Sequence, residues 1–208
     1  MNTVFSHEPT SQNKIEIITK ALPSYLTDKR LTHTLSVQKQ ALELCDIYFP
    51  LLNIDKKYKS DISCAALVHD LTKKFTIDQQ QELCRKYNIN VDKNTFGSCA
   101  LLHSKTSAYL SKALFSINDF VFDAVFYHTT GKPDMNIFEK IVFISDYIEP
   151  TRKQKECIDT RNFLYQNLSK TNDKLLLLDD VILMSLDNTI SYLSKNIKFP
   201  GCTYRKII

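Results

Sequence analysis

Apolar positions recur at helical spacing along most of the chain. From Asn13, the positions Ile15, Ile17, Ile18, Ala21 and Leu22 predict a first amphipathic helix, broken near Pro23. Asp28 can cap a second, running to about Tyr48, with His33, Val37, Ala41, Leu44 and Tyr48 on one stripe. A Lys-rich connector, Asp55 to Lys59, leads to a third helix. There Ile62, Ala65, Ala66 and His69 follow the i, i+3, i+4, i+7 pattern, with Asp70 beside His69. Asp78 opens a short helix to Tyr87, followed by a polar loop through Gly97. The segment Cys99 to Phe115 carries Ala100, His103, Leu110 and Leu114 on one face. The next, from Asn118, carries Val121, Ala124, Val125 and His128, and Thr129-Thr130-Gly131-Lys132-Pro133 terminates it. Asn136 and Glu139 make a capping-box start for a helix through Ile148 that halts before Pro150 and keeps Asp146 on its apolar side. A last helix, Asp173 to Asn196, is expected to cover the bundle with Leu175, Leu178, Ile182, Leu186 and Ile190. No stretch alternates as a strand does and no repeat is visible, so the expected architecture is an all-α helical bundle.

Composition narrows this picture without changing it. A chain of 208 residues can build one sizeable core, and the expected division is a flexible tail over 1–12, one domain over 13–198 and a C-terminal tail over 199–208. With three glycines and no tryptophan, long helices fit better than a turn-rich β protein. A net charge of +4 suits a polyanionic small molecule and falls short of a dedicated DNA-binding surface. The six cysteines are scattered singly with no C-x-x-C pair, which reads as reduced thiols. The first ten residues hold no apolar core of signal-peptide length, and Asp179 and Asp180 interrupt the most apolar run, Leu175 to Met184. The expectation is a cytoplasmic protein with no membrane contact, and His7 is read as a tail residue without a role.

The polar residues on the apolar stripes carry the chemistry. Four of the five histidines, His33, His69, His103 and His128, sit at inward positions of separate helices, joined by Asp70 and Asp146. One buried histidine needs only a hydrogen-bonding neighbour. Four imidazoles and two carboxylates in a single core need a stronger form of compensation, and a dinuclear metal centre supplies it. Six protein ligands leave open positions on two metals, the condition for catalysis rather than for a closed structural site.

These residues also carry a resemblance. His33, the His69-Asp70 pair and the late Asp146 resemble the H…HD…D signature of the HD superfamily of metal-dependent phosphohydrolases. The phrases Arg30-Leu31-Thr32-His33, Leu101-Leu102-His103, Tyr127-His128-Thr129-Thr130-Gly131 and Ser145-Asp146-Tyr147-Ile148-Glu149-Pro150 resemble the YqeK family within it, the bacterial symmetrical bis(5′-nucleosyl)-tetraphosphatases. The resemblance implies a single HD-domain fold with a buried dinuclear site that hydrolyses diadenosine tetraphosphate to two ADP. Attack by a metal-bound hydroxide on phosphorus is the mechanism it implies. It further implies that His33, His69, Asp70 and Asp146 hold one of two divalent metal ions, with Asp70 bridging to a second held by His103 and His128. Iron is the metal the resemblance favours, and His-carboxylate chemistry also accepts manganese, cobalt or zinc.

Asp70 and Lys73 are the expected catalytic residues. Arg30, Lys73, His103, Thr129, Thr130 and Arg152 are the expected substrate contacts, for a dinucleoside polyphosphate or another nucleotide. A homodimer is left open. Three positions depart from the family pattern: Ser104-Lys105 stands where Gly-Pro is common, Ser36 where Gly is common, and Thr151 where Gly often follows Glu-Pro. They are expected to bear on the substrate pocket. Two rival readings remain: another HD-type nucleotide phosphohydrolase or phosphodiesterase, and a nucleotide-binding or ribosome-associated regulator with little turnover, to which the basic tail at Arg205 and Lys206 lends some support.

Overall fold

The computed structural model of the protein describes residues 7–196; the first half of the expected N-terminal tail and the expected C-terminal tail, with Arg205 and Lys206, lie outside the described residues. The chain divides into two compact units, Met1–Lys153 and Gln154–Ile208, where the sequence reading has one domain over 13–198. The first unit holds α1 (Gln12–Tyr25), α2 (Asp28–Tyr48), α3 (Lys59–Val68), α4 (Ile77–Tyr87), α5 (Lys93–Phe96), α6 (Cys99–Phe115), α7 (Asp119–Tyr127) and α8 (Ile137–Ile148). The second holds α9 (Lys155–Asn167) and α10 (Lys174–Asn196), which pack on each other. No strand occurs among the described residues, so the expected all-α architecture stands.

Local chemistry accounts for where the helices begin and end. Thr27, rather than Asp28, caps α2, its extended backbone letting the hydroxyl accept from the Arg30 N–H. Thr76, rather than Asp78, caps α4 and forms a reciprocal capping box with Gln79. Asn136 and Glu139 form the box expected at α8. Pro23 does not break α1 but sits in its last turn, where a missing N–H removes one backbone bond at the point where the helix is ending anyway. Two helices have no counterpart in the sequence reading. α5 is a single turn capped by Asp92, too short to show a period. α9 buries only Cys157, Thr160 and Leu164 among charged neighbours, a signal thinner than the other helices give.

The core of the first unit is organised around α3. Every residue from Asp61 to Val68 is buried, and α1, α2, α6, α7 and α8 all pack against it. The small side chains Ser63, Cys64, Ala65 and Ala66 allow that crowding. α3 ends at Val68, so the next two residues, His69 and Asp70, leave the helix inside the core rather than at the surface.

The other end of α3 is tied down by Asp61. Its carboxylate accepts from the Thr10 N–H at 2.8 Å, the Thr10 hydroxyl at 2.7 Å and the Asn118 side-chain amide at 2.8 Å. His7 Nε2 lies 2.8 Å from the second oxygen, and its ring stacks on Phe120 with centroids 4.4 Å apart. His7 is therefore part of a packed cluster, and Asn118, the cap of α7, is fixed to the first turn of α3. Asp61→Ala strands these buried donors and is expected to lower unfolding stability by about 3 kcal/mol. Urea denaturation followed by circular dichroism checks this, and a loss within about 0.5 kcal/mol of zero, the range of an ordinary surface change, rules it out.

Candidate metal centre

Three of the four inward histidines are oriented by what their Nδ1 atoms bond. His69 follows the last residue of α3, and its Nδ1 donates to the Ala66 carbonyl at 2.7 Å. His128 repeats the device at the end of α7, with Nδ1 donating to the Val125 carbonyl, again at 2.7 Å. A carbonyl can only accept, so both rings carry the proton on Nδ1 and turn Nε2 inward. His33, on α2, has Nδ1 2.9 Å from Glu149 Oε1. In each case the bond leaves Nε2 facing the same interior point.

Around that point the two oxygens of Asp70 face different neighbours. Oδ2 lies 3.4 Å from His69 Nε2, 3.8 Å from His33 Nε2 and 2.7 Å from Arg30 Nη1. Oδ1 lies 3.1 Å from His103 Nε2 and 3.8 Å from His128 Nε2. Asp146 Oδ1 is 3.0 Å from His33 Nε2 and 3.9 Å from His69 Nε2. The His103 and His128 Nε2 atoms are 3.1 Å apart. The six residues singled out from the sequence thus converge on one place. Within it, His33, His69 and Asp146 bring one donor atom each within 4.8 Å of one another, and so do His69, Asp70 and His128.

The electrostatics hold Asp70, Asp146, His103 and His128 in the forms that bind cations. Burial works against the Asp70 carboxylate, but His69 and His103 outweigh it and hold the pKa well below the usual carboxylate range. Burial likewise opposes Asp146, and Arg152 with His33 and His69 holds it well below that range. Burial pulls His128 well below an ordinary imidazole, with His103 and His69 adding to the effect. His103 is lowered by burial too, and Lys73 contributes. His69 moves the other way: burial lowers it, and Asp70 more than restores it.

The wholly buried Nε2 atoms of His33 and His69 make no aligned hydrogen bond. Buried, inward-facing imidazole lone pairs beside two ionised carboxylates are the donor set that divalent cations of the iron, manganese, cobalt and zinc kind accept. The residues fit metal.

Three cations surround the cluster. Arg30 pairs with Asp70, as above; Arg152 donates from Nη2 to Asp146 Oδ1 at 2.5 Å and from Nε to the Asp146 carbonyl at 2.9 Å. Lys73 Nζ is 3.0 Å from His103 Nε2 and 3.8 Å from Asp70 Oδ1, and burial lowers its pKa. The Thr129 hydroxyl reaches His128 Nε2 at 3.1 Å and His103 Nε2 at 3.3 Å. Thr130 is exposed and turns its hydroxyl to the Gly131 carbonyl, away from the cluster that the other expected substrate contacts reach.

Two supporting residues have no assigned role in the sequence reading. Glu149 is fully buried and, besides holding His33, accepts from the Thr151 N–H and hydroxyl at 2.6 Å each and from the Ser36 hydroxyl. Its signal was its place three residues after Asp146, just past the end of α8. Thr72 is fully buried, donates to the His103 carbonyl at 3.0 Å and bonds the hydroxyls of Thr106 and Ser107 at 2.7 and 3.0 Å. A threonine one turn past a histidine gives no sequence signal.

The comparisons agree with this geometry. The model of the HD domain matches residues 30–151, a span that lies inside the first compact unit and contains all six convergent residues. The chain is 34% identical over 149 residues to a symmetrical bis(5′-nucleosyl)-tetraphosphatase of Staphylococcus aureus, covering 70% of this chain and 73% of the relative. It is 33% identical over 172 residues to the protein of that name from Halalkalibacterium halodurans, covering 82% of each. A crystal structure from Clostridium acetobutylicum, described as a predicted HD superfamily hydrolase involved in NAD metabolism, superposes with a TM-score of 0.75 at 32% identity over 93% of both chains. Helical fold, convergent His and Asp side chains and relatives all point one way: the chain belongs to the HD-domain family of metal-dependent phosphohydrolases.

Proposed function

We propose that the protein hydrolyses diadenosine tetraphosphate symmetrically to two ADP, using two divalent cations held by His33, His69, Asp70, Asp146, His103 and His128. The division of the Asp70 oxygens carries this reading, since Oδ2 faces the His33 and His69 imidazoles while Oδ1 faces His103 and His128. A carboxylate so placed can serve two cations at once. On this reading His33, His69 and Asp146 complete one site around Asp70, and His103 and His128 the other. Iron is the proposed metal. The chemistry that paired cations supply at such a site is activation of water and neutralisation of phosphoryl charge.

The protein's own side chains do the rest. Arg30 and Arg152, each about one-third exposed beside the carboxylates, are placed to take the phosphate oxygens of the incoming polyphosphate. Lys73 is a stronger acid than a surface lysine because burial lowers its pKa, so its ammonium can donate to the phosphate oxygen that leaves. Thr129, whose hydroxyl stands 3.1 and 3.3 Å from the His128 and His103 Nε2 atoms, offers that hydroxyl to the substrate at the edge of the pair. Water and substrate account for all atoms: one P–O–P bond breaks, water supplies one oxygen to the attacked phosphorus, and both products are ADP. Relatives named symmetrical bis(5′-nucleosyl)-tetraphosphatase support that substrate.

Incubation of the purified protein with diadenosine tetraphosphate and Fe(II), Mn(II) or Co(II), followed by chromatography, should yield ADP alone. AMP with ATP, or no product with any of the ions, overturns the reading. Metal analysis tests the bridge separately: Asp70→Asn should lose both equivalents, while His33→Ala should lose one. A full complement of metal on Asp70→Asn would dispose of the bridging role. The bond from Glu149 to His33 makes a further expectation: Glu149→Gln, which keeps the shape but weakens that bond, should bind metal about 10-fold less tightly. Competition with a chelating dye measures it, and parent-like affinity refutes it.

A further inference from the structure

The stretch that follows His103 is buried throughout, Ser104 to Ser107. Thr106 and Ser107 join it to Thr72, next to the His69-Asp70 turn. Lys105 reaches the opposite way. Its Nζ donates to the Phe126 carbonyl at 2.7 Å and lies over the rings of Phe126 and Tyr127, 3.9 and 4.9 Å from their centroids. Phe126 is in the last turn of α7, next to Val125, whose carbonyl fixes the His128 ring. One side chain therefore spans from a position two residues after His103 to a position two residues before His128, the pair whose Nε2 atoms stand 3.1 Å apart.

The contacts suit an ammonium and not merely its volume. The last carbonyls of a helix lack intrahelical donors, and a lysine beside them satisfies one and meets the negative end of the helix dipole. The aromatic faces supply further attraction for the charge. Burying an ammonium is nonetheless expensive, and a methionine would fill the same space without that penalty. What the charged group adds is a directed bond between α6 and the end of α7. We propose that Lys105 is a positioning residue which clamps the end of α7 to α6 and so sets the spacing of the His103 and His128 imidazoles. The proposal rests on the two-metal reading above.

Titration of the metal-depleted full-length protein with Co(II), followed by calorimetry and visible absorption, tests it in the parent, Lys105→Met and Lys105→Arg. Lys105→Met should bind one equivalent as the parent does and the other about tenfold more weakly, with an equal or higher thermal midpoint because no ammonium is buried. Lys105→Arg, which can donate to the same carbonyl and stack on Phe126, should regain most of the loss. Parent-like affinity for both equivalents in Lys105→Met overturns the proposal. So does a uniform weakening accompanied by a lower thermal midpoint or loss of fold, which marks a merely structural residue. A parent that takes up fewer than two equivalents overturns the two-metal reading and this proposal with it, and is recognised because the parent itself fails.

Discussion

The first unit is built to keep one carboxylate, Asp70, charged in a place where charge is expensive. Asp70 is almost wholly buried, and its pKa stays well below the usual range because the His69 and His103 imidazoles crowd it, one beside each oxygen. Much of the architecture serves that requirement. α3 runs through the centre of the unit and ends at Val68, so the carboxylate stands on the turn that directly follows a helix buried from Asp61 onward. The small residues of α3 let the neighbouring helices come close enough to place their histidines around it.

Two kinds of bond orient the histidines, one local to the helix and one between distant parts of the chain. His69 and His128 each bond a carbonyl three residues earlier in the chain, so the helix that carries the ring also orients it. His33 depends instead on Glu149, 116 residues away in sequence. The two kinds of support differ in what they demand. The local device survives wherever the helix end survives, whereas the Glu149 bond holds only if α2 and the end of α8 keep their relative placement. Packing between α2 and α8 meets that demand.

Most of the fold and the centre of the site were legible because helical period and chemistry coincide. His33, His69, His103, His128 and Asp146 stand on apolar stripes, so the pattern that predicts a helix also predicts which polar residue points inward. What the sequence concealed lacks such a coincidence. α5 is too short for a period and α9 has a sparse one. Thr27 and Thr76 took the capping places assigned to Asp28 and Asp78, since the cap is decided by which backbone unit is extended, and neighbouring candidates differ little. His7 and Asp61 are 54 residues apart, and no local pattern announces their meeting.

The departures from the family pattern are instructive for the same reason. They were expected to bear on the substrate pocket, and their side chains turn toward the layer beneath the histidines. The Ser36 and Thr151 hydroxyls, at positions where the resemblance leads one to expect glycine, both donate to Glu149, which orients His33. Ser104 and Lys105 are buried, the first bonded within α6 and the second to the end of α7. A glycine at these places offers no donor, so a chain that carries hydroxyls there gains bonds to the very groups that position the imidazoles. Such changes reach the histidines through their supporting groups rather than through the donor atoms themselves. At His33, His69, Asp70 and Asp146 the donor atoms themselves converge, at separations of 3.0 to 3.9 Å, so a change there removes a donor rather than adjusting its support.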